Sequence, residues 1–183
     1  TERMDEYLGS LVQALSDNGY YDNTLVVFVA DHGDGNSSHQ WGGKVALWVE
    51  SVRVPLIMWR PGMVKSGHVI QSLCSTGLDL MPTLCSFAGG VMPDGYAGTD
   101  HRDNCLGADE PLHEYVVSET NMRGSRKGLA VRSQRYKYIV YESDSHPEQL
   151  FDLYQDPGET NNLIGESGTS GVLSDHRDML RQW

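Results

Sequence analysis

Asp31 and His32 stand side by side, Gly33 follows, and Lys44 comes twelve residues after His32 in a stretch that also holds Gly35, Gly42 and Gly43. A carboxylate and an imidazole that turn toward one point suit a divalent cation. A lysine in a glycine-rich loop can carry positive charge to an anionic substrate. The same Asp-His pair, taken alone, also suits a helix cap or a solvated loop, and spacing by itself picks no reaction.

The elements around these residues decide whether they can meet. Leu25 to Ala30 is an unbroken apolar run rich in β-branched residues, preceded by the turn signal Tyr21-Asp22-Asn23-Thr24. It reads as a strand buried on both faces, hence parallel, with Asp31 and His32 at its carboxyl end, where open α/β sheets bind ligands. Gly33 permits the chain to turn there. Upstream, Met4, Leu8, Leu11, Val12 and Leu15 share one face of a helix over about Glu2 to Asn18, with Gly19 as its C-cap. Helix, turn and buried strand make half of a βαβ crossover, so the chain is expected to begin within a domain. Val54 to Trp59 reads as a second core strand, and Arg53 before it as a salt-bridging or site residue.

A helix is expected over about Thr76 to Ala88; with a start near Asp79, Pro82 falls in its first turns and Asp79 is a cap rather than a catalytic acid. Residues 91–111 read as loops, with Asp100-His101 on the surface. Tyr115 to Ser118, Gly128 to Ser133, Tyr136 to Tyr141 and Leu150 to Leu153 read as strands, the middle two joined as a hairpin through Gln134-Arg135. The acids of Asp156-Pro157-Gly158-Glu159 belong to a structural turn rather than a cation site. A terminal helix runs from about Ser174 to Trp183. The fold expected is α/β, part of a mixed, largely parallel sheet with flanking helices, followed by a small α+β subdomain with an antiparallel sheet. The first unit spans 1–110 and the second 111–183.

A net charge of −11 argues against nucleic acid as a partner and requires any positive charge for an anionic substrate to be local. No apolar run approaches the roughly 20 residues that cross a bilayer, and the polar N-terminus has no signal-peptide core. Cys74, Cys85 and Cys105 form no CxxC or zinc-like spacing, and Cys74 and Cys85 read as buried thiols.

Asp31-His32-Gly33, His39, Trp41-Gly42-Gly43-Lys44, Glu50-Ser51-Val52-Arg53-Val54-Pro55-Leu56-Ile57 and Arg60-Pro61-Gly62, in that order, closely resemble the sulfatase family. That family reads DHG, a loop, a Gly-Lys, a YEESVRVPLI-like segment and a PG turn. Trp48 stands for its aromatic residue, Val49 replaces the first glutamate, and Val45 replaces the small residue after the lysine. Asp79-Leu80-Met81-Pro82-Thr83-Leu84 resembles the family's DLxPTLL segment. Arg135-Tyr136-Lys137-Tyr138, Gln149 to Leu153 and Asp156 to Leu163 resemble its C-terminal RYKY and LYDLxxDPxExxNL elements, and the stretch from His146 to Leu153 is similar to bacterial carbohydrate sulfatases.

The resemblance covers nearly all 183 residues but only the C-terminal part of a sulfatase. It implies that Asp31 and His32 supply half of a calcium site, and that Lys44 is catalytic and grips the sulfate. It implies for His39 either a catalytic, substrate-proximal place or a loop-packing one. The formylglycine nucleophile arises in that family from a CxPSR-type sequence, which none of the three cysteines matches, so the nucleophile and the remaining calcium ligands are expected in a missing N-terminal part of the same protein. The implied reaction is hydrolysis of sulfate esters, on a sulfated small molecule or glycan, in a secreted, periplasmic or lysosomal protein, this chain alone being inactive. Two other readings stay open: a phosphonate or phosphodiester hydrolase of the same superfamily, and a non-catalytic domain that binds sulfated glycans or a partner.

Overall fold

The computed structural model describes residues 2–122, 126–142 and 147–183. His146, the first residue of the carbohydrate-sulfatase-like stretch, lies outside them. The chain opens with helix α1 (Glu2–Asp17), followed by strand β1 (Val26–Val29), a one-turn helix α2 (Val49–Val52) and strand β2 (Leu56–Trp59). Helix α3 (Thr76–Phe87) and the short α4 (Arg102–Cys105) lead to four strands: β3 (Tyr115–Met122), β4 (Arg126–Ser133), β5 (Tyr136–Tyr141) and β6 (Glu148–Asp152). Helix α5 (Ser170–Gln182) closes the chain. This is the expected order of an α/β section followed by a small antiparallel-sheet subdomain.

Three local expectations are corrected. β1 does not run parallel to its neighbour here: it pairs antiparallel with β2, Val26 opposite Trp59 and Val29 opposite Leu56. Nor is it buried on both faces, since Val29 and Ile57 are exposed. An apolar run reports that a strand is meant for cover but says nothing of the direction of its partner. The apolar face of α1 is likewise open, with Met4 and Leu11 exposed and no residue of the helix buried. Helix α3 begins at Thr76, as the apolar spacing predicts, which puts Pro82 in the helix interior and not in the first turns. A proline there cannot donate to the carbonyl four residues back. Gly98 packs against that carbonyl, of Leu78: an added Cβ there would lie 2.0 Å from its oxygen. Any larger residue at position 98 would force the two segments apart.

The second unit is a meander in the order β3-β4-β5-β6, every neighbour antiparallel. Gln134 and Arg135 turn the β4–β5 hairpin as expected, and Arg135 binds Asp152 through Nε and Nη2, at 3.0 and 2.6 Å from Oδ2. The imperfect alternation along β5 has its explanation in burial of both faces. Val131, Tyr138 and Leu150 face Leu163, Val172, Leu173 and Met179, the last three on α5. Ala130, Ile139, Tyr141 and Phe151 face the other way, onto Leu47, Trp48 and Val52. Glu148 fastens α5 by accepting from Arg177 Nε at 2.9 Å.

That second face carries the segment 45–49, and it does so with polar bonds as well as apolar contact. Thr120 Oγ1 donates to the Val45 carbonyl at 2.8 Å, the Leu47 amide donates to Tyr141 Oη at 3.1 Å, and Trp48 Nε1 donates to Gln149 Oε1 at 3.2 Å. The Val49 amide, the first of α2, donates to Glu159 Oε2 at 2.9 Å. Glu159 also pairs with Lys137, and both side chains are essentially removed from solvent. Burial pushes the Lys137 ammonium pKa down against the opposing pull of Glu159. Asp156 meanwhile accepts from the Asn161 amide and Thr160 Oγ1. The turn is structural, as read from Pro157-Gly158, and its glutamate is a buried clamp.

Removing one member of such a pair strands a buried charge, whereas replacing both with uncharged groups does not. Glu159→Gln should therefore lower the stability read from urea denaturation by about 3 kcal/mol. Adding Lys137→Met to it should return most of the loss.

Candidate functional site

Asp31 and His32 follow β1 directly, and the backbone there is fixed from the other side of the loop. The Gly33 amide donates to the Ser51 carbonyl at 2.9 Å. A Cβ at Gly33 would lie 1.9 Å from the Glu50 carbonyl oxygen. Gly33 is thus required by close approach rather than by a left-handed turn, which refines the expectation drawn from it. Asp31 Oδ1 accepts the His32 amide at 2.9 Å, and His32 Nδ1 donates to the Gly33 carbonyl at 2.8 Å. The second bond leaves the lone pair on His32 Nε2, which accepts from Lys44 Nζ at 2.9 Å and lies 3.5 Å from Asp31 Oδ2.

Three of the four residues singled out by sequence therefore meet. The Asp31 side chain is 87% exposed and the His32 side chain 38%, so both donors are accessible. One carboxylate oxygen and one imidazole nitrogen facing the same point fit a divalent cation as two of its ligands once Lys44 Nζ leaves His32 Nε2, and calcium requires six to eight. The fit is that of a partial shell.

His39 is not brought to this point. Its ring stacks on Trp48 with centroids 4.4 Å apart, and its Nε2 lies 3.6 Å from Glu50 Oε2. It sits in a loop where Asn36, Ser37, His39 and Gln40 all take positive φ. Such residues are costly to hold and persist where surrounding bonds over-determine them. Here the Ser37 amide donates to the Trp41 carbonyl, and Gly35 to that of Gly43. In this geometry His39 is a packing residue between the loop and α2.

Asp31, His32 and Lys44 open onto a cleft of about 1420 Å³. Its walls also carry Arg53, Arg60, Lys65 and Arg132, so cations gather in the cleft of a chain whose net charge is −11. Arg53 departs from the salt-bridge expectation: it is exposed, and among the described residues it has no ion-pair partner. Burial, and then the neighbouring Arg53, push the Arg132 guanidinium down.

A second cluster lies along the same cleft and was not legible in the sequence. Asp79 is fully buried. Its Oδ2 accepts from the Ser75 amide at 2.6 Å, from His113 Nε2 at 2.9 Å and from His101 Nε2 at 3.3 Å, while Oδ1 accepts the Thr99 amide at 2.8 Å. Asp79 does cap α3, reaching back to Ser75 from inside the first turns. His101, expected on the surface, is buried. Of the thiols, Cys105 is the buried one, and Cys74 and Cys85 are only partly covered. Burial, with Asp79 nearby, pushes Cys74 up to about 12.

Burial alone would raise the Asp79 carboxyl, but hydrogen bonds from His101, Thr99 and Ser75, with the charge of His113, hold it well below its ordinary value. A depressed folded pKa contributes stability that is complete above the unfolded value and is lost as pH falls through the folded one. Asp79→Asn should therefore destabilise the protein at neutral pH, and the difference in melting temperature should shrink as pH is lowered below about 4. A difference constant with pH would contradict this origin.

Comparison with known proteins places this geometry in a family. The family model described as Sulfatase matches residues 1–91. The Delta 4,5-hexuronate-2-O-sulfatase of Bacteroides thetaiotaomicron is 35% identical over 98% of this chain and 38% of its own length. A solved 2-O GAG sulfatase superposes with a TM-score of 0.88 at 34% identity, over 98% of this chain and 40% of that one. A phosphonate monoester hydrolase from Silicibacter pomeroyi superposes with a TM-score of 0.83 at 28% identity, over 97% of this chain and 38% of its own. The 183 residues thus span about two-fifths of these relatives. With the ordered motif, the cleft-facing Asp31, His32 and Lys44, and this likeness along nearly its whole length, the chain belongs to the sulfatase family.

Proposed function

We propose that this chain carries the cation-binding and sulfate-gripping part of a sulfate-ester hydrolase. The observation that supports this best is the convergence of Asp31 Oδ2, His32 Nε2 and Lys44 Nζ at the end of β1. Asp31 and His32 would hold calcium, which supplies Lewis-acid polarisation of the sulfate when bound. Lys44, hydrogen-bonded to His32, is placed to move its ammonium onto a sulfate oxygen and to offset charge growing on the ester oxygen in the transition state. His39 acts behind it, holding the loop through Trp48 and Glu50. The nucleophile, a formylglycine attacking sulfur, lies outside these 183 residues on this reading, because Cys74, Cys85 and Cys105 lack the sequence from which it is made.

The division of labour follows the two units, 1–110 for the chemistry and 111–183 as the platform of the loop. A carbohydrate sulfate is the favoured substrate, since a hexuronate-2-O-sulfatase is among the relatives. The location would be secreted, periplasmic or lysosomal, as such substrates require. No helix among the described residues is long and apolar enough to cross a membrane. A second reading, phosphonate-ester hydrolysis, draws on the likeness to the phosphonate monoester hydrolase. A purely binding role is the least favoured, because α1, β1 and β2 leave apolar side chains exposed.

The test is turnover by the protein in its longest natural form, on aryl and sugar sulfates and on phenyl phosphonates, before and after chelation. Sulfate release should dominate, fall on chelation and return with calcium. Lys44→Ala should lower kcat/KM by roughly 10²–10³-fold, the scale for removing one preorganised charge-stabilising donor. Preference for the phosphonate would select the second reading, and tight binding of sulfated sugars without turnover would select the third.

A further inference from the structure

We propose that Cys74, Asp79, His101 and His113 form a zinc-type divalent-cation site, distinct from Asp31 and His32. Cys74 Sγ, a carboxylate oxygen of Asp79 and an imidazole nitrogen of His101 all lie within 4.8 Å of one another. His113 Nε2 shares the same carboxylate oxygen, at 2.9 Å. Ligands around a tetrahedral zinc, at bond lengths of about 2.0–2.3 Å, stand roughly 3.3–3.8 Å apart. Cys74, Asp79 and His101 already cluster on that scale, and His113, which reaches only the Asp79 oxygen, would turn inward to complete the four.

One sulfur, one oxygen and two imidazole nitrogens make a donor set that zinc favours and calcium does not. The four come from different places in the fold: the segment before α3, its first turns, the residue before α4 and the segment before β3. A bound ion would fasten these together as structural metal sites do. The site is already half built. The Asp79 carboxylate is fully buried and held by the Ser75 and Thr99 amides, and the His101 side chain is 5% exposed. Charge balances, because a thiolate and a carboxylate neutralise the dication and the imidazoles stay neutral. On binding, the Cys74 thiol proton passes to solvent and each imidazole exchanges its proton from Nε2, where it now donates to Asp79, to Nδ1, which frees Nε2 for the metal. Cys74, Asp79 and His101 line the open cleft, which gives the ion a path in. None of this depends on the sulfate-ester reading.

Cobalt(II) is the probe, added to chelator-treated protein and then competed with zinc. The site predicts the visible bands of tetrahedral cobalt together with a thiolate-to-cobalt charge-transfer band, both lost on stoichiometric addition of zinc. Cys74→Ser, a mild change whose fold can be checked by circular dichroism, should abolish the charge-transfer band. Asp31→Asn should leave it in place. Zinc should raise the melting temperature of the parent protein and not that of Cys74→Ser. An octahedral cobalt spectrum without a thiolate band, or a spectrum unchanged in Cys74→Ser, would overturn the proposal.

Discussion

A lysine and a glutamate taken out of water together hold the two parts of this structure in register. Lys137 is the second residue of β5 and Glu159 lies in the turn after β6, and their pairing fixes a carboxylate under the first amide of α2. Neither charge is tolerable alone in that position. The segment 45–49 can settle on the small sheet only where Glu159, Tyr141, Gln149 and Thr120 meet its backbone and indole groups. Lys44 is the residue immediately before that segment. The antiparallel sheet contributes no group to the convergence of Asp31, His32 and Lys44, yet it sets where one of the three emerges.

The charge distribution follows the same logic of local arrangement. A chain of net charge −11 repels anions at long range, particularly at low ionic strength. The cleft nevertheless concentrates Lys44, Arg53 and Arg132 within low-dielectric walls. Arg53 has no carboxylate partner among the described residues, so its charge remains directed into the cleft. Attraction of an anion into the cleft is thus short-ranged.

Asp31, His32 and Lys44 were readable because the motif that carries them is local and ordered, and the strand before them is marked by an uninterrupted β-branched run. The hairpin at Gln134-Arg135 and the turn at Pro157-Gly158 were readable for similar reasons of local chemistry. The place of His39 was not readable, because a histidine in a motif loop looks the same on paper whether its ring faces a cleft or a tryptophan. The Asp79 cluster was invisible because its histidines lie 22 and 34 residues away. His101 sits in a stretch without periodicity, where nothing distinguishes a surface residue from a buried one. A clue was available in Pro82: an interior proline frees a helix carbonyl, and the chain at Gly98, close before His101, packs directly against that carbonyl. The direction of β2 relative to β1 depends on tertiary arrangement that no apolar pattern encodes.

The central claim is that the sheet positions the loop carrying Lys44 through the buried Lys137–Glu159 pair. Amide hydrogen exchange of Leu47 and Val49 in Glu159→Gln tests it most directly, with α5 as the internal reference. The account predicts that both amides lose protection together while α5 keeps its own, because the whole segment lifts from the sheet. Unchanged exchange at Leu47, or equal loss throughout α5, would contradict it.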